Sequence, residues 1–219
     1  VQNNILYTYQ KDISKHVPTS ESNRINMVWQ SMPSQLVKEN KKFIYGVTKP
    51  GGRAKDFEIA IQWLMDAGLV YKAERVNEAK MPLKFYVDIS GFKLFLLDCG
   101  LLGAMSETPP EKLLVAENGM EESKGAFTEN YVMSQLVATR DTSVFYYSND
   151  AKLEIDFLIQ HGGEIVPIEA KAEENLRAKS LSTFVASRPG MHGLRFSMSD
   201  YREQDWMTNV PLYAISTYF

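Results

Sequence analysis

The stretch EIDFLIQHGGEIVPIEAK, Glu154 to Lys171, decides how this chain folds. Two apolar, β-prone runs flank a pair of glycines, and a Gly-Gly loop between such runs signals a tight hairpin. With Gly162 and Gly163 as the loop, the register follows by counting. His161 faces Glu164, Gln160 faces Ile165, Asp156 faces Glu169 and Glu154 faces Lys171. Strict alternation puts those last four residues on one face. Leu153, Ile155, Phe157 and Ile159 go to the other, with Val166, Ile168 and Ala170. Opposed side chains stand about 5 Å apart at Cβ, where like charges are destabilising. Facing carboxylates on Asp156 and Glu169 therefore need a cation between them, and a divalent metal with oxygen ligands supplies one. The plainer alternative is a hairpin with one wet face and ordinary charges. Pro167 has no N–H, so it must take a non-hydrogen-bonded position or a bulge.

Upstream of the hairpin the pattern is helical. Ile25, Val28, Trp29 and Met32 recur at helical spacing, and Ser31 with Pro33 marks a break and a restart through about Asn40. A third helix is expected over Ala54–Ala67, with Phe57, Ala60, Ile61 and Leu64 as its buried stripe and Gly68 past its end. LVYKAERV and FKLFLLD follow as strands. Three helices and then a strand pair is the order of a winged helix. SETPPEKLLVAENGMEESK, Ser106–Lys124, is rich in proline and acid and reads as the domain boundary. After it come a helix near Gly125–Thr139, then strands near Val144–Tyr147, Leu153–Gln160 and Ile165–Lys171. A helix near Glu173–Ser187 and strands near Leu194–Ser197 and Leu212–Ser216 complete the second part.

Composition narrows the setting. The 219 residues carry a net charge of only −3, so bulk charge argues neither for nor against nucleic acid. Residues 1–110 hold 14 Lys and Arg against 11 Asp and Glu, and residues 111–219 hold 10 against 16, which hints at a division of labour. The single cysteine, Cys99, forbids an internal disulfide and a cysteine-based zinc site, and a reducing, cytoplasmic setting fits. FKLFLLDCGLLGAM is interrupted by Lys93 and Asp98 and is too short to span a bilayer. The chain opens on Val1 rather than Met, as expected of a piece of something longer.

In the helix GAFTENYVMSQLVATR, Glu129 shares a stripe with Ala126, Met133, Leu136 and Arg140. A glutamate on a packing face costs free energy unless it is paired or coordinated. The alternative is a flank residue that reaches water.

This order, a helix with Glu129, strands, then EID and IEAK, then a helix and a strand, resembles the core of the PD-(D/E)XK nuclease superfamily. The resemblance implies a restriction-endonuclease-like mixed sheet in which Asp156 and Glu169 hold Mg2+ or Mn2+. Lys171 would orient or activate the attacking water, and Glu129 would complete the metal site. Glu154 would tune Lys171 or reach a second metal. The segments SMPSQLVKENKKFIYG, AIQWLMDAGLVYKAERV, FKLFLLDCGLL and GAFTENYV, with the hairpin, also resemble a bacterial and archaeal family. Its members carry an AAA-type ATPase domain followed by a C-terminal domain of unknown function. That resemblance implies a lead-in over 1–20 from an upstream ATPase domain, a winged-helix-like domain over 21–105, a linker over 106–124 and a nuclease-like domain over 125–219. GVTKPGGR, Gly46–Arg53, lacks the Gly-Lys-Ser/Thr of a Walker A loop, so ATP binding is not expected in this chain.

Lys38, Lys41, Lys42, Lys49 and Arg53, interleaved with Phe43 and Tyr45, form a candidate phosphate-contacting strip. The outward face of Ala54–Ala67 offers Lys55, Asp56, Glu58, Gln62 and Asp66, a net acidic set unsuited to reading bases. Two functions are carried forward. One is metal-dependent hydrolysis of a DNA phosphodiester by the second domain. The other is a catalytically inactive nuclease-fold module that docks on, or regulates, the chain's own upstream ATPase domain.

Overall fold

A computed structural model describes residues 1–38, 41–109, 111, 121–139, 143–149, 153–172 and 178–219. The described residues are mixed α and β, with one eight-stranded sheet. They divide into two compact units, Val1–Lys72 with Leu94–Asn130 and Ala73–Lys93 with Tyr131–Phe219. Residues 73–93, assigned to the first domain from sequence, thus group with the second unit. Much of the expected 106–124 linker lies outside the described residues.

The first unit contains helices α1 (Gln2–His16), α2 (Thr19–Leu36), α3 (Tyr45–Thr48), α4 (Ala54–Asp66) and α5 (Cys99–Met105). Ile25, Val28, Trp29 and Met32 of α2 are buried, as are Phe57, Ala60, Ile61 and Leu64 of α4. The expected break at Ser31 and Pro33 is absent, because α2 runs through both. Ser31 Oγ donates to the Val28 carbonyl at 2.8 Å, and Pro33 falls in the last turn, where only one ladder bond is forfeited. Burial of Met32 and Leu36 on either side of Pro33 outweighs the loss. Beyond α2, the Gln35 carboxamide brackets Ile44. It donates to the Ile44 carbonyl at 2.9 Å and accepts from the Ile44 N–H at 3.0 Å.

The sheet contains β1 (Val70–Val76), β2 (Val87–Leu96), β3 (Phe145–Ser148), β4 (Glu154–His161), β5 (Glu164–Lys171), β6 (Gly193–Ser197), β7 (Arg202–Glu203) and β8 (Met207–Pro211). Their order is β2-β1-β3-β4-β5-β6-β8-β7. The pairs β1/β3, β5/β6 and β6/β8 are parallel, while β3/β4, β4/β5 and β7/β8 are antiparallel. Because β1 also pairs with β3, the first two strands continue the large sheet, whereas a winged helix carries a free-standing ribbon. The helix after the linker, α6, spans Glu121–Thr139. Helix α7 (Lys179–Ala186) buries Leu181, Phe184 and Val185 against Phe145, Tyr147, Ile155, Leu158 and Met207 in the core of the second unit. The strand expected at 212–216 is instead a 3-10 turn (Leu212–Ala214) and a short helix, α8 (Ile215–Tyr218). The strand lies just before it, as β8. Its polar Thr208 and Asn209 are buried, so hydrophobic alternation gave no sign of it.

The hairpin turns where the two glycines sit. Gly162 and Gly163 have φ of 59° and 84°, both in the left-handed region that a type I′ turn demands. The paired residues are His161–Glu164, Gln160–Ile165, Ile159–Val166, Leu158–Pro167 and Phe157–Ile168. Counted from the turn, Pro167 falls in a non-hydrogen-bonded pair with β4, so its missing N–H takes nothing from that ladder.

Candidate functional site

Below Phe157 the counted ladder stops. The pairing of β4 with β3 shifts by one residue between Phe145 and Tyr147, which inserts an extra residue into β4 between Ile155 and Leu158. Ile155 and Leu158, three apart, consequently share one core cluster, which strict alternation forbids. The Ala170 N–H, which a regular ladder would give to the Ile155 carbonyl, donates instead to Asp156 Oδ2 at 2.9 Å. The bulge is therefore built around the aspartate.

It also moves Glu154. Alternation had placed Glu154 beside Lys171, but the carboxylate meets Lys93 Nζ at 2.5 Å. Lys93 lies over the ring of Tyr146, 4.8 Å from its centroid, and Tyr146 alternates with the cluster residues Phe145 and Tyr147. Glu154 thus belongs to the face opposite that cluster. Its expected role as a tuner of Lys171 is corrected, because the bulge reverses the pleat ahead of Asp156.

What remains at the lower end of β5 is a compact group. Glu169 is 7% exposed, and its Oε2 has no hydrogen-bond partner among the described residues. Its Oε1 lies 3.4 Å from Lys171 Nζ, on a side chain that is 44% exposed. Burial raises the Glu169 pKa above the ordinary glutamate value, Lys171 opposes that shift, and the Asp156 carboxylate adds to it. Asp156 and Glu169 are therefore near enough to repel, as the facing positions predict.

The next strands extend the group. Glu169 is in register with Arg195 on β6, Arg195 with Asn209 on β8, and Asn209 with Arg202 on β7. In-register neighbours share a face, so the four form one polar row across four strands. Asn209 is saturated. Its Oδ1 accepts from Arg195 Nε at 2.7 Å and Ser197 Oγ at 2.8 Å, and its Nδ2 donates to the carbonyls of Ser199 and Asp200 at 3.2 and 2.8 Å. Arg195 is 1% exposed, yet Nη1 and Nη2 have no hydrogen-bond partner among the described residues. Sequence reading missed Arg195, Asn209 and Arg202. The available signal was an arginine between apolar neighbours in the strand GLRFS, on the parity of a buried face.

The other expected site residues lie in the first unit. Glu129 is buried on α6 and ion-paired with Lys41, whose φ of 46° is in the left-handed region. That pairing commits Lys41 and breaks the continuity of the expected basic strip. Lys38 and Lys42 are half-buried, while Lys49 and Arg53 are exposed. The exposed surface of α4 carries Glu58, Ile59, Gln62 and Asp66, with Gln62 donating to Asp66 at 2.7 Å. His161 is exposed, its ring 5.8 Å from that of Phe219. Burial pushes the Cys99 thiol up to about 11, so it is a poor nucleophile and metal ligand. Among the described residues, no three His, Cys, Asp or Glu side chains converge on one point. No helix among them is long and apolar enough to cross a membrane.

Residues 124–215, which hold the carboxylates and the arginine row, match a domain of unknown function (DUF4143). No curated protein and no solved structure matches the chain. Residues 1–112, more than half of the 219, match another domain of unknown function (DUF8612), and the chain belongs to that family.

Proposed function

We propose that the second unit is a metal-dependent DNA phosphodiesterase of the PD-(D/E)XK kind, with Asp156 and Glu169 as ligands to Mg2+ or Mn2+ and Lys171 as the catalytic cation. The observation that carries this reading is Glu169. It is a buried carboxylate with an orphaned oxygen, made harder to ionise by burial and by a second carboxylate, with a half-exposed lysine beside it. A divalent cation relieves that frustration, and oxygen ligands suit it. When bound, such an ion polarises a phosphoryl oxygen and lowers the pKa of water at the site. The chain's own residues do the positioning. The Ala170 N–H fixes Asp156 through Oδ2, and Lys171 reaches outward from the same strand as Glu169 to offset charge developing on the phosphoryl oxygens. Glu129, whose Oε1 is ion-paired with Lys41, is not included in the ligand set proposed here.

The test is cleavage of plasmid and single-stranded DNA with Mg2+ or Mn2+, at low salt because the second half of the sequence is net acidic. Slow metal-dependent cutting is expected, reduced by on the order of 100-fold in Lys171→Ala. Cutting that is unchanged in the variant, or absent at every condition, overturns the reading.

A second reading is a non-catalytic module that docks on an upstream AAA-type ATPase domain. It is favoured by the commitment of Asp156 Oδ2 to a backbone amide and by the lack of a third converging ligand among the described residues. Absent cutting by a correctly folded chain supports it.

A further inference from the structure

The polar row does not end at the carboxylates. Arg195, Met198, Ser199, Asp200, Tyr201, Arg202 and Asn209 line an open cleft of about 420 Å³, ample for a phosphate group. Arg195 contributes a fully buried guanidinium with five N–H donors, of which the Nε–H alone is used, on Asn209. Leaving charged donors buried and unmatched is costly, and a fold that keeps such a group holds it for something. Arg202 is exposed and near enough to Arg195 that the two guanidiniums oppose each other's charge. Two arginines in register on either side of one asparagine repel until an anion lies between them. Glu169 lies one strand away on the other side, so it balances Arg195 only in part, and among the described residues no ion pair joins them.

We propose that Arg195 and Arg202, flanking Asn209, form a phosphate subsite that grips a DNA phosphate beside the one that is cut. The substrate class rests on the phosphodiesterase reading above, but the grip itself needs neither metal nor chemistry. Arg195 sits about 4.8 Å, one strand spacing, from Glu169 along the row. A phosphate held between Arg195 and Arg202 lies about two strand spacings from Glu169, a distance that an adjacent phosphate of the same DNA strand can bridge. Asn209, through four hydrogen bonds, holds both the Arg195 side chain and the Ser199–Asp200 backbone that rims the cleft. Asp200 also lines the cleft, and its carboxylate works against an anion. The affinity is set by two arginines against Asp200 and, one strand further off, Glu169.

The test is fluorescence anisotropy of a labelled twelve-residue oligo(dT) in EDTA at several salt concentrations, with inorganic phosphate as a second probe. Arg202→Gln, at an exposed position that folding does not depend on, is expected to weaken oligonucleotide binding roughly tenfold. It should also flatten the log–log salt slope by about 0.7, one phosphate contact on a single strand. Arg195→Lys, which keeps the charge and loses the fork, should weaken binding by a smaller factor, and Asp200→Asn should tighten it. Equal binding by wild type and Arg202→Gln overturns the subsite, and binding of inorganic phosphate without the oligonucleotide overturns its assignment to DNA. Because EDTA removes the metal, Arg202-dependent binding without any Mg2+-dependent cutting keeps the subsite and sinks the phosphodiesterase reading alone.

Discussion

Two groups of charged residues lie buried or half-buried in the second unit, and they are built differently. On one face, Lys93 is matched by Glu154 and lies over Tyr146, while Arg75 donates to Asp88 and to Ser90. The exception is Arg75 Nε, over which Gly91 passes so closely that a Cβ there would meet it at 2.9 Å. On the other face, Glu169 and Arg195 lie on adjacent strands in register, yet each keeps buried polar atoms without a hydrogen-bond partner among the described residues. The first group is closed, since its charges satisfy one another with little left over. The second is open, with donors and an acceptor fixed in place by Asn209 and the hairpin but not spent on each other. Buried charge of the first kind holds strands together, and buried charge of the second kind stays poised for a ligand.

The sharpest way to break this comparison is in the closed group. Lys93→Ala removes a buried cation and leaves Glu154 without it, for an expected loss of about 3 kcal/mol of stability, the lower end for breaking a buried pair because Glu154 keeps some water. The double change Lys93→Met with Glu154→Leu should recover most of that loss. Urea denaturation checks both, and a Lys93→Ala protein as stable as wild type would show that the closed group holds nothing together.

The open group should respond with the opposite sign. Glu169 binds its proton more tightly in the native state than in the unfolded chain, so native stability falls as pH rises from the ordinary glutamate range through its raised pKa. Below that window the penalty is absent. Glu169→Gln should therefore melt above wild type at pH 7 without metal, with the gap shrinking towards pH 4. A gap that is reversed or independent of pH would mean that Glu169 is satisfied after all.

The smallest effect serves as the baseline. Lys80 and Glu78 form an ion pair with both side chains half or more exposed, and Lys80→Ala should leave the melting temperature unchanged within error. A clear shift there would mean that the assay does not separate buried pairing from surface charge.

Much of this was legible in the sequence, for reasons that also explain what was not. The Gly162–Gly163 turn fixed five successive pairs, because a two-residue loop leaves the register no freedom. The same count predicts that Asp156 faces Glu169; the observed pairs end at Phe157–Ile168, and the two carboxylates are close enough to repel. The bulge beside Asp156 was not legible, because nothing in LEIDF signals that a side-chain carboxylate will take the Ala170 N–H from the ladder. That single inserted residue carried Glu154 to Lys93. Arg195 and Asn209 escaped notice since each sits in a short strand, and parallel pairing between distant segments cannot be counted as a hairpin can. Helix α2 ran past Pro33 because packing at Met32 and Leu36 overrode a local breaker.

One modest contact in the first unit has a wider meaning. The Asn130 carboxamide accepts from the Leu96 N–H at 2.7 Å and donates to the Leu96 carbonyl at 3.0 Å, while the next N–H, that of Leu97, goes to Leu69. Leu96 ends β2, the first strand in the sheet order, so its backbone groups face the open side and a side chain has taken the place of a further strand. The opposite margin, β7, is two residues long, and both Arg202 and Glu203 are charged and exposed. An eight-stranded sheet with bare margins would invite a second molecule to add on by backbone pairing. Here an amide caps the last residue of one margin, and the other margin is too short and too charged to serve as a template, so backbone pairing by a second molecule is blocked at Leu96 and discouraged along β7.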